Sequence, residues 1–169
     1  MTAAQDALWN ENVGAADYAA GNEKYREAIL AQYQICVEMA DRVSARRNLT
    51  NTFFLSLNTA VVAVLGGTAP DGLDKVSVWV LASGLVIVLT QCLTWFVTVR
   101  SYRQLNRAKY EVIGVLEERL PAYAYSKAEW GALGEGRDWR QYIPLTYVEQ
   151  WVPLIFGAAY LLGFAALAF

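Results

Sequence analysis

The stretch "ADRVSARRNLTNTFFLSLNTAVVAVLGG" (residues 40–67) changes solvent halfway along. Asp41, Arg42, Arg46 and Arg47 crowd its start, and the long run that follows carries no charge. A backbone entering hydrocarbon has to bond to itself, so such a run is read as a helix. About 20 mostly apolar residues, each rising 1.5 Å, cross the core of a bilayer. Residues 49–67 meet that length, and two further stretches do so as well, 76–99 and 152–169. The fold class that follows is all-α: a helical bundle with three membrane spans.

Composition agrees with that reading. Of 169 residues, 56% are hydrophobic and only 18% charged, with mean hydropathy +0.23, and the apolar residues come in blocks. That is too uneven for an ordinary soluble domain. The net charge of −2 supplies no basic field, so nucleic acid is not expected as a partner. Histidine is absent, which removes Ser-His-Asp and Cys-His catalysis and the commonest transition-metal ligand. Cys36 lies in a polar helix and Cys92 in an apolar one, so neither a disulfide scaffold nor a CxxC metal site is available. P-loop, GxSxG, HExxH and kinase signatures are all missing, and "GALGEG" (131–136) lacks the GxGxxG spacing. The sequence offers no catalytic, metal or cofactor residues, and the expectation is that the protein is not an enzyme.

Lysine and arginine placement sets the expected orientation. Arg42, Arg46 and Arg47 precede the first span, and Arg100, Arg103, Arg107 and Lys109 follow the second, which puts both flanks in the cytoplasm. The connection "TAPDGLDK" (68–75), with Pro and Gly as helix breakers, reads as an exported turn. The third span then starts inside, with Pro153 suited to a first helical turn, and leaves the carboxyl end outside. A secretory signal is not expected, since the first apolar run starts behind a charged helix.

Outside the spans, residues 22–48 carry Tyr25, Ile29, Tyr33, Cys36, Ala40 and Val43 at three-and-four spacing, and 100–120 carry a similar stripe up to Pro121. They predict two amphipathic cytoplasmic helices packed as an antiparallel stalk. Residues 1–21 are read as a mobile tail or short helix. Residues 121–150 form an aromatic-rich linker, with Tyr123, Tyr125, Trp130, Trp139, Tyr142 and Tyr147, that folds back to the membrane interface.

The polar residues inside the spans are the candidate functional groups. Asn58 and Gln91 fall at the same depth on antiparallel spans and are expected to pair. Asn51, two turns from Asn58 on the same face, is expected to bond Thr94 or Thr98. Two readings are open for Asn51, Asn58, Gln91 and Thr94: interhelical contacts within an oligomer, or the lining of a polar pathway. At the junction, Glu38 and Arg42 have the favourable i, i+4 order. The charges Glu38, Asp41, Arg42, Arg46, Arg47, Arg100 and Arg103 are read as membrane-interface or intersubunit groups, one arginine reaching lipid phosphate and another an acid such as Glu38 or Asp41.

The combination of "EMADRVSARRNLTNTFFLSLNTA" with the late "YIPLTYVEQWVPLIFGAAY" resembles the RipA family of small octameric bacterial inner-membrane proteins. Glu38, Asp41, Arg42, Ser44, Arg46, Arg47, Asn51, Phe54, Asn58, Tyr147, Glu149 and Pro153 carry the resemblance. It implies a homo-octamer in the inner membrane, tied to growth within a host or to stress adaptation, with no catalytic residues to carry over. The layout of helical arms flanking two spans is similar, more distantly, to SLATT-type effectors. The partners expected are therefore the lipid bilayer, further copies of the chain and a cytoplasmic protein. A scaffold or regulatory assembly is the first function expected, and a channel-like ring or pore-forming defence effector the second.

Overall fold

The inward stripe of the first long helix can be followed by its spacing alone. Ile29, Ala40, Val43 and Asn58 are buried on it, and Tyr33, Cys36, Arg47, Asn51 and Phe54 lie partly covered between them. Such three-and-four spacing keeps one face of a helix turned toward its neighbours. A computed structural model describes residues 3–19, 22–72, 76–137, 140, 142–143 and 145–168. Among them are α1 (Ala3–Leu8), α2 (Asn22–Gly72), α3 (Val78–Glu117), a π-helical turn Ala124–Glu129, α4 (Trp130–Ala132) and α5 (Leu145–Ala168), and no strand. The fold is all-α.

Among the described residues, three helices are long and apolar enough to cross a membrane: Asn22–Gly67, Val78–Glu117 and Val148–Leu167. Each of the first two joins a span to the amphipathic stretch beside it. The chain divides into two compact units. The first comprises Met1–Ala45 and Gln104–Ile143, the second Arg46–Arg103 and Pro144–Phe169.

In the first unit, α2 and α3 run antiparallel, since Ser44 meets Asn106 (3.1 Å) while Tyr33 meets Glu117 (3.2 Å). Ile29, Ala40 and Val43 of α2 and Ile113, Val115 and Leu116 of α3 are its buried apolar side chains. The N-terminal stretch holds a short helix, α1, and a 3-10 turn at Ala15–Asp17. The Arg119 guanidinium lies 3.4 Å above the Trp9 ring and donates to the Tyr25 hydroxyl (2.6 Å), tying this stretch to the end of α3. "GALGEG" lies in the middle of the linker. Gly134, Glu135 and Gly136 all take left-handed backbone angles, and a Cβ on Gly136 would stand 3.1 Å from the Trp130 ring.

Several expected boundaries move. The exported turn was placed at 68–75, but α2 stays helical to Gly72, through Pro70. A proline near a helix end removes one bond of the last turns, a smaller loss than in mid-helix. Leu73, Asp74 and Lys75 lie outside the described residues, as do Trp139 and the side chain of Tyr147. α3 ends at Glu117, ahead of Pro121. Pro153 does not sit in a first turn: α5 begins at Leu145 and carries it, buried, inside the helix. Its ring nitrogen leaves the Glu149 carbonyl without the usual helical donor, a cost borne among packed neighbours.

Candidate functional site

Three helices of the second unit meet at Asn58, whose exposure is 0%. Its Nδ2 donates to the Phe54 carbonyl one turn back (2.8 Å), leaving Oδ1 free to accept. The Tyr160 hydroxyl of α5 donates to that oxygen at 3.0 Å, and the Cys92 thiol of α3 approaches it at 3.7 Å. Two turns earlier on α2, Asn51 Oδ1 accepts from the Trp95 indole N–H of α3 at 2.9 Å. A row of rings fills the space beside these bonds. Phe54 stacks on Trp95 (centroids 5.7 Å apart, planes at 10°), Trp95 lies 6.1 Å from Phe156, and Phe156 lies 6.3 Å from Tyr160. The sequence builds this by spacing. Positions 51, 54 and 58, then 92, 95 and 99, then 153, 156 and 160 each recur at three or four residues and so share a helix face.

This arrangement is not the pairing expected from the sequence. Asn58 meets Cys92 and Tyr160 instead of Gln91, and Asn51 meets Trp95 instead of Thr94 or Thr98. In each case the α3 partner is the residue next to an expected one, Cys92 beside Gln91 and Trp95 beside Thr94, a turn of about 100° around α3. Thr94 and Thr98 spend their hydroxyls on the carbonyls of Thr90 and Thr94 in their own helix (2.9 and 2.7 Å). That is a common outcome for threonine in a helix. Gln91 keeps an enclosed amide nitrogen with no partner among the described residues.

The charged candidates separate by burial. Arg47 and Glu149 stand 3.3 Å apart with side chains only 14% and 21% exposed, linking α2 to α5 as an ion pair off the ideal hydrogen-bond angle. Arg103 donates to Gln150 at 3.2 Å, joining α3 to the same turn of α5. Glu38 and Arg42 form the expected i, i+4 pair (2.7 Å), but in the open. Asp41, Arg46 and Arg100 are also exposed.

Glu117 was not singled out in the sequence. Fully buried in the first unit, it accepts from the backbone N–H of Tyr125 (2.8 Å) and Ser126 (2.9 Å), from the Ser126 hydroxyl (2.5 Å) and from the Tyr33 hydroxyl (3.2 Å). These donors hold the start of the π-helical turn against α3. Burial pushes the Glu117 carboxyl up, but the bonds from Ser126, Tyr125 and Tyr33 outweigh it and hold it below its usual range. Burial first, and then the charge and hydrogen bond of Glu117, push the Tyr33 phenol up to about 12. Tyr160, Trp95 and Cys92 were likewise missed as polar partners. Their signal was present in their spacing, but a phenol, an indole and a thiol also pass for apolar packing.

The bonds of Asn51 and Asn58 join α2 to α3 and α5, so their direct effect is cohesion among these helices. With that geometry in place, a comparison of the sequence with protein-family models matches residues 30–169 to the octameric membrane protein family. The chain belongs to that family. No curated protein and no solved structure matches it. As a member of the octameric membrane protein family with three helices fit to span, it is a multi-pass membrane protein. The match takes in every residue of the Asn58 cluster and leaves α1 outside it.

Proposed function

We propose that this octameric membrane protein family member is a non-enzymatic subunit of a homo-oligomeric scaffold or regulatory assembly in the bacterial inner membrane. Its amino end then lies in the cytoplasm and its carboxyl end outside, as the arginine flanks imply. The resemblance to the RipA family points the same way, toward growth within a host or stress adaptation, with a cytoplasmic protein as partner. One observation carries the reading. Asn51 and Asn58, the carboxamides of the first span, are occupied by Trp95, Tyr160 and Cys92 of neighbouring helices, as suits groups that hold a bundle together.

The enclosed, unpartnered amide nitrogen of Gln91 favours a second reading, a channel-like ring in which that group meets a permeant. Liposomes holding the purified protein separate the two. A scaffold gives ion flux no greater than protein-free liposomes and retains a soluble partner through purification. Flux that changes on Gln91→Leu or Asn58→Leu would replace the scaffold by the pore.

A further inference from the structure

The water-facing part of α2 leaves one apolar strip uncovered. Ile35 is 59% exposed and Met39 41%, one helical turn apart and flanking the buried stripe of Ile29, Ala40 and Val43, about 100° around the helix from its centre. Lipid is an unsuitable cover here, because Glu27, Glu38, Asp41 and Arg42 stand on the same stretch of helix. Nor are these scattered residues. From Ile35 the spacing runs four, three, four, three, four through Met39, Arg42, Arg46, Leu49 and Phe53, all exposed. That 3.5-residue repeat is the one by which a helix keeps a single seam against another helix.

We propose that the Ile35–Met39 strip is a subunit interface and that a second copy of this chain covers it. Membership of an octameric family supplies the occupant, since each copy in the assembly needs faces that meet its neighbours. A ring closed from identical copies joins two different patches, so the strip meets a different surface of the next subunit. Arg42, next along the seam, bonds to Glu38, and the pair borders one side of the strip with charge. The inference rests on octameric assembly and not on the scaffold reading, so a conducting octamer leaves it standing.

Its test uses the full-length protein in detergent. Ile35→Glu together with Met39→Glu should move the particle from the octamer mass to one or two subunits. Leu30→Glu, an equally open site about 140° or more around the helix from the strip, should leave the octamer intact. A photo-crosslinking amino acid in place of Ile35, Met39 or Leu30 decides the matter even if the double variant does not fold. Crosslinked dimers of this chain from positions 35 and 39 and not from 30 are expected. The proposal is overturned by an octamer that survives both glutamates, by equal crosslinking from position 30, by adducts with a different protein only, or by no protein adduct at all.

Discussion

A buried carboxylate survives in a fold only where donors replace its water, and Glu117 has four of them. Because its folded carboxyl is held below the ordinary value of 4.5, its contribution is present above that pH and disappears as pH falls through the folded value. Thermal melts of the detergent-solubilised protein should therefore lose stability on the acid side of about pH 4.5. Glu117→Gln should be less stable at pH 7 and should flatten that acid limb. An unchanged limb would mean that other carboxylates set it. Tyr33 works at the opposite end. With its phenol pushed up from 10.0 to about 12, its contribution is present below pH 10 and erodes as pH rises toward 12, so Tyr33→Phe should soften the alkaline limb.

Among the helices, two ion pairs differ in burial, and burial decides which one matters even though the buried pair is the longer. Glu38–Arg42 is exposed and contributes roughly 0.5 kcal/mol or less, so Glu38→Ala should scarcely change a melt. Arg47–Glu149 is mostly enclosed and ties α2 to α5. Glu149→Gln should cost about 2 kcal/mol by leaving a cation poorly matched, and exchanging the two residues should recover part of it. Equal losses at the two pairs in chemical unfolding would contradict this ranking. The same elements show what the sequence made legible. Charge placement and apolar length were enough to find three helices, and the 1.5 Å rise was enough to lead along α3 to the residue beside the Cys92 that Asn58 meets. The facing side of α3 was not readable, because a span is apolar all round and gives no periodic contrast to tell Cys92 and Trp95 from Gln91 and Thr94. Pro153 misled for a related reason. A proline reads as a helix start, yet a packed membrane helix accepts one inside.

For the molecule as a whole, the arginine flanks lead to a definite topology. A reporter fused after Phe169 should be active only when exported, and one fused near Arg119 only when cytoplasmic. A cytoplasmic carboxyl end would reduce α5 from a span to an interfacial helix. The central claim is that the carboxamides of the first span hold the helices together, and the free energy of unfolding in mixed micelles tests it most directly when measured for Asn58→Leu, Tyr160→Phe and the double variant. Each single change should cost no more than about 2 kcal/mol, and the double should cost clearly less than their sum, because both remove the same 3.0 Å bond. Full additivity, or an Asn58→Leu protein as stable as the parent, would contradict the account.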